Sequence, residues 1–349
     1  MMLTETPRKN GPSTYRIVAL VALAAAALLI GIFAWTTRTA PSPSAASLDA
    51  VTIATTIRYA GACPILVAQE NGYFTREGLL VKIQAESSGK ASLDAVMHGR
   101  ADLGTTGDLP VMFAAMNGEP IVVVATIFKT EKDEGIVGRK DLGVVTPASL
   151  KGKRIGVTQG TAGQFVLDAF LNRQKMRVSE TTIVDLQPER LSAALLSGDV
   201  DAVATWEPIL GTLLTQLGGN GAIFYGDGVY DAVFNLAGTR DYVSGHAEII
   251  KKVLRAVIRG AQFCKDAPDS AIAIVARSMN LGTGTLKGSW SSYRFNVILD
   301  QALVLALEDE TRWAIRNKLV VGTEMPNYLN HVYFDALDSV RPSAVTIIH

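Results

Sequence analysis

Residues 95–110 read AVMHGRADLGTTGDLP, and 99 positions later residues 194–208 read ALLSGDVDAVATWEP. Each stretch opens with apolar residues at helical spacing and closes that helix at a glycine, Gly99 or Gly198. An aspartate follows in each (Asp102, Asp201), then a short apolar run that reads as a strand. An acid and a proline end both, as Asp108 with Pro110 and as Glu207 with Pro208. Chance readily supplies one glycine but not the whole series in register, so the chain is read as two halves built on one plan.

Working outward, residues 51–57, 80–83, 101–104 and 121–127 read as strands, with helices at 64–71, 93–97 and 110–116 between them. The same alternation restarts at Lys151, with strands at 154–157, 183–186 and 200–204. Its helices are carried by Phe165, Val166, Ala169 and Phe170 and by residues 191–196, and Gly160–Gly163 makes a tight loop. This β-α-β order predicts an α/β protein whose sheets are mostly parallel and covered by helices. The last third reads as helices at 246–263, 269–278, 293–307, 308–317 and 328–335, and an extended crossover near Val233–Arg240 returns the chain to the first half. The expected division is residues 1–47 as leader and linker, 48–145 with 240–349 as one lobe, and 146–239 as the other.

The 349 residues are 48% apolar and formally neutral, as expected of a folded chain with real cores. Arg8, Lys9, Arg16 and Arg38 concentrate basic charge at the N-terminus, which leaves the body mildly acidic and offers no basic field for nucleic acid. Between them Ile17–Trp35 carries no charge. A basic flank before such a run is a cleaved secretory signal or an uncleaved signal-anchor, and both readings place the body outside the cytoplasm. Cys63 and Cys264 lie far apart and are read as two buried free thiols, with pairing in an oxidising compartment as the alternative.

Four further segments are informative together: Pro64–Phe74 followed by Glu77-Gly78-Leu79, then Gly104–Pro110, Leu150–Val157 and Gly198–Pro208. In this order they resemble the nitrate/sulfonate/taurine and thiamine-pyrimidine group of periplasmic binding proteins, from about Leu48 to Ala267. The resemblance implies a type II periplasmic-binding-protein fold with two lobes, two crossover strands and a helical C-terminal part. It also implies the substrate-binding component of an ABC importer, a monomer working with a permease and an ATPase, held at the membrane only if the N-terminal segment stays uncleaved.

Lobes of this kind take ligands at the carboxyl ends of their strands, where loops lead into helix N-termini with unpaired N–H groups. Gly61, Ser87, Ser88, Thr105, Thr106, Thr161 and Ala162 stand in such loops and are candidate ligand contacts; ordinary N-capping is the alternative for each hydroxyl. Tyr59 and Cys63 follow the first strand and are placed at the cleft border. Trp206 is read as a cleft wall, and Glu207 as a receiver of an amine or a helix-start acceptor. Asp108 is expected to cap its own helix and Lys129 to be solvated. Because donors outnumber acceptors in these loops, the expected ligand is a small organic anion or zwitterion, sulfonate-, taurine- or nitrate-like.

No phosphate-binding lysine loop, zinc-protease motif or nucleophile elbow occurs, and the four histidines are scattered, so no catalytic residue, metal or cofactor is expected. The alternative is a pyrimidine-precursor binding protein or a related enzyme on the same fold, which as an enzyme needs a His/Cys cluster near the cleft.

Overall fold

The computed structural model describes residues 48–225 and 230–348. The expected signal or anchor at 1–47 lies outside them, and among the described residues no helix is long and apolar enough to cross a membrane. Among the described residues, ten strands build two five-stranded sheets: β1 (Asp49–Thr55), β2 (Leu79–Ala85), β3 (Leu103–Gly107), β4 (Ile121–Thr130), β5 (Glu134–Arg139), β6 (Arg154–Val157), β7 (Thr182–Asp185), β8 (Ala202–Trp206), β9 (Gly221–Tyr225) and β10 (Ala232–Thr239).

The first sheet has the order β2-β1-β3-β10-β4 and the second β7-β6-β8-β5-β9. In each, one strand arriving from the other half of the chain is inserted antiparallel: β10 between β3 and β4, and β5 between β8 and β9. The remaining strands keep the parallel order expected of a repeated β-α-β unit.

The sequence repeat proves to be a structural device. Asp102 accepts from the Thr52 amide through Oδ2 at 2.7 Å, while its own amide donates to the Thr52 carbonyl at 3.0 Å. Asp201 does the same to Arg154, at 2.9 Å in both directions. Each aspartate thus fastens the strand it precedes to that strand's parallel neighbour, β3 to β1 and β8 to β6. Gly99 and Gly198 turn the chain out of the preceding helix at φ values of 67° and 84°, where a side chain would be strained.

Two expected boundaries are corrected. Residues 134–139, assigned to the first half by a break at 145, hydrogen-bond β8 and β9 in the second sheet. Residues 232–239, placed in the second half by a break at 240, form β10 at the interior of the first sheet, and this strand is the extended crossover expected near 233–240. The chain therefore changes sheet between β4 and β5 and between β9 and β10.

The expected helix at 293–307 is also corrected. Phe295, Val297 and Leu299 are buried in alternation, which is strand periodicity. Their segment pairs with β4 at Lys129↔Arg294 and Thr126↔Ile298, covering that strand's edge, and one helix then runs Gln301–Arg316. Residues 328–335 hold only a turn of 3-10 helix, and the last α-helix is Asp335–Val340.

The cysteines are bonded to one another, Cys63 to Cys264, which overturns the free-thiol reading. The bond joins helix Cys63–Glu70 to helix Ala247–Asp266 on the outer face of the first sheet. The contact is close enough that a Cβ on Gly260 would lie 2.1 Å from the Pro64 carbonyl oxygen. Lys129, expected to be solvated, is mostly buried and paired with Asp300 at 2.6 Å.

Candidate functional site

A small cavity of about 60 Å³ opens at the carboxyl ends of the strands. Thr56, Tyr59, Ser88 and Gly107 reach it from strand ends and loops of the first sheet, and Thr161, Ala162 and Trp206 from a strand end and a helix start of the second. Ser88 precedes helix Gly89–Met97 and accepts from the Ala91 amide at 3.1 Å, so it caps that helix and lines the cavity at once. Thr161 precedes helix Ala162–Arg173, and its hydroxyl donates to the Thr158 carbonyl at 2.7 Å, which leaves the first amides of the helix unclaimed by it. Two helix starts from two sheets therefore meet at one space, an arrangement that suits an oxygen-rich group.

The expected residues divide. Tyr59, Ser88, Thr161, Ala162 and Trp206 come together on the cavity wall. Gly61 lies behind it and makes room for the Tyr59 ring, since a Cβ there would sit 2.3 Å from that ring. Cys63 is fully buried in the disulfide and does not border the cleft, because its helix turns away from the strand end. Ser87 is exposed and lines a wider opening beside the cavity, shared with Trp206. Thr105 spends its hydroxyl on Thr55 at 2.6 Å, and Thr106 is buried within β3, so neither lines the space. Glu207 accepts the Gly211 amide at 3.0 Å, which is the helix-start role, and also stays off the wall.

Sequence reasoning missed the acidic part of the wall. Asp133 and Glu134, where the chain first crosses between sheets, both face the cavity and are 2% and 8% exposed. Tyr59 donates through its hydroxyl to Asp133 Oδ2 at 2.9 Å, and no donor among the described residues reaches Oδ1. Burial, reinforced by the Glu207 charge, pushes the Asp133 carboxyl up to about 8 despite the Tyr59 hydrogen bond. Burial, with Asp133 and Asp108 nearby, holds Glu134 well above the usual carboxylate range.

Deeper still, Asp108 accepts from the Leu109 amide and from the Tyr230 hydroxyl, and burial raises it to about 6. It therefore does more than cap a helix. The Glu310 carboxyl stands against it, raised by burial and by Asp108, a pair that calls for one shared proton. Phe234, Tyr230, Trp206 and Tyr59 supply aromatic walls, with the Tyr59 and Phe234 rings edge to face at 4.9 Å.

Beside the cavity the two halves touch again. Trp313 donates through Nε1 to Asp168 at 3.0 Å, and Phe165 packs edge-on against Trp313 at 5.3 Å. Phe165 also meets Tyr230, so the contact adjoins the cavity wall.

Solved structures share this architecture. The alkanesulfonate-binding protein of Xanthomonas axonopodis pv. citri superposes with a TM-score of 0.72 at 20% identity, over 83% of this chain and 100% of its own. Among curated sequences, the taurine-binding periplasmic protein of Escherichia coli (strain K12) is 31% identical over 151 residues, 43% of this chain and 47% of its own length. The 4-amino-5-hydroxymethyl-2-methylpyrimidine phosphate synthase of Uromyces fabae is 30% identical over 140 residues, 40% of each chain. The NMT1/THI5 like family profile matches residues 60–271, and the chain belongs to that family.

Proposed function

We propose that this protein is the extracytoplasmic substrate-binding component of an ABC importer, which holds a small organic solute between two lobes and delivers it unchanged to a permease driven by an ATPase. One lobe follows the first sheet and the helical C-terminal part, and the other follows β5–β9. The observation that carries the reading is that the turns at Ser88 and Thr161, from different sheets, line the same cavity. A solute touching both is bound best when the lobes close, and the two crossings between sheets supply the hinge.

The disulfide supports an oxidising location, because cytosolic thiols are kept reduced. The relatives named for taurine and alkanesulfonate binding support transport of a solute with an oxygen-rich anionic end, which the two helix starts would receive. Catalysis of the pyrimidine-synthase kind has no such support, since neither histidine nor free thiol lies on the cavity wall and Cys63, the residue placed there from sequence, is disulfide-bonded.

The test is small-angle scattering during titration with candidate solutes, followed by mass spectrometry of the released compound. A smaller radius of gyration at saturation and an intact compound are expected. Unchanged scattering with a ligand shown to bind would sink the closing mechanism, and recovery of a transformed compound would make the protein an enzyme.

A further inference from the structure

We infer that the solute presents a cationic nitrogen head, an ammonium or amidinium-type group, to Asp133 and Glu134. This rests on the solute-binding reading of the same cavity and specifies the ligand's charge.

A buried carboxylate is tolerated when a cation or several donors satisfy it. Asp133 has one donor, the Tyr59 hydroxyl on Oδ2, and Oδ1 is left without one although the residue is 98% buried and on the cavity wall. Glu134 enters none of the ion pairs among the described residues, and neither do Asp108 and Glu310 behind it. The cation on the rim, Lys90, has a half-exposed side chain turned towards Asp94 at 4.0 Å. Asp133, with its unpartnered Oδ1, and Glu134 thus stand on the wall of the space a solute enters, where N–H donors of positive charge would complete them.

The wall around these acids is aromatic, and the faces of Tyr and Trp rings attract cations. A wholly anionic solute would meet these carboxyls at close range, with Lys90, at the rim and turned towards Asp94, as the one base among the described residues of the wall. This corrects the weight given to anions from the hydroxyl-rich loops, because the acids come from the crossing segment. A metal ion fits less well: no group of three or more His, Cys, Asp or Glu among the described residues converges to hold one.

The experiment uses the full chain and probes matched in shape but not in charge: taurine against isethionate, ethanolamine against ethylene glycol, and acetamidine against acetamide. Ethanesulfonate, nitrate and calcium complete the set. Calorimetry on the wild type, Asp133→Asn and Glu134→Gln reads affinity, and thermal melting of the empty proteins confirms that the variants fold.

At least one nitrogen probe should bind with its partner weaker by about tenfold or more, and each substitution should remove about as much from the nitrogen probe alone. Preferred binding of ethanesulfonate or nitrate, undiminished in both variants, would overturn the cation head and leave solute binding standing. Tight binding of calcium would overturn the nitrogen assignment. Binding of no probe of any charge would count against the solute-binding reading itself, and the inference would go with it.

Discussion

A carboxyl such as Asp133 exacts a cost whenever the cavity is empty, and that cost has a pH signature. Its ordinary value of 3.8 is raised to about 8 by burial, so between those limits the folded chain keeps a proton that the unfolded chain has released. Stability then falls as pH rises through that window, because the folded state binds more protons than the unfolded one. Replacing the carboxyl by a neutral amide removes this penalty while leaving an acceptor for the Tyr59 hydroxyl. Empty Asp133→Asn protein is expected to exceed the wild type by about 0.5–2 kcal/mol at pH 8, with the difference shrinking towards pH 4. Urea denaturation at several pH values measures this, and a difference independent of pH would refute it. Residues of this sort were hard to see in the sequence. Lys129–Glu134 has the composition of a solvated turn, and nothing local tells that Asp133 is enclosed once β4 and β5 separate into different sheets. Ser88, Thr161 and Trp206 were legible because strand ends and helix starts announce themselves in the chain, and their positions follow from the repeated plan.

Among the elements, helix Ala247–Asp266 ties the C-terminal part to the first sheet. Its buried stripe, including Ile250, Val253, Leu254 and Val257, was visible as helical periodicity. What it packs against was not, since pairing with helix Cys63–Glu70 joins residues about two hundred positions apart. The close approach at Gly260, the Arg255 and Arg259 pairs with Glu77 at 2.6 and 2.9 Å, and the disulfide all fix that one junction. The surface ion pairs contribute little, whereas the cross-link closes a long loop in the unfolded chain. Cys63→Ser with Cys264→Ser together should cost roughly 2–5 kcal/mol, and reductant should lower the wild-type melting temperature towards that of the double variant. A double variant that melts like the wild type under oxidising conditions would show the bond to be unimportant. Two isolated cysteines carry no spacing signal, which is why the pairing could not be decided from the chain. The segment 293–300 escaped for a different reason. Its alternation of Phe295, Val297 and Leu299 is short, and strand character there depends on an edge of β4 far away in sequence.

For the whole molecule, solute affinity is an intrinsic contact energy reduced by whatever is needed to bring the halves together, so contacts between the halves outside the cavity also set it. The pair Trp313–Asp168 is such a contact. Trp313 belongs to a helix that packs on Phe113 of helix Asp108–Met116 in the first half, and Asp168 to the helix that begins at Ala162 in the second half. The Asp168 carboxyl touches no part of the cavity wall, and burial raises it to about 6 with the indole N–H opposing the rise, so at pH 7.5 it is largely ionised and accepts a charge-assisted hydrogen bond. Asp168→Ala removes that bond and leaves the indole to water in the open form, so the closed form loses about 1–2 kcal/mol relative to the open one. Affinity for any bound solute should then fall about fivefold to thirtyfold at pH 7.5, with the empty protein's melting temperature little changed. The loss should grow below pH 6, because burial raises the wild-type carboxyl in the closed form, which then takes up a proton on closing that the alanine variant cannot. Calorimetry of wild type and variant across that range, with whichever probe binds, separates this from a defect in the cavity. An affinity loss constant from pH 5 to 8 would mean that Asp168 acts by packing, and the Trp313 contact would then have no part in holding the halves closed.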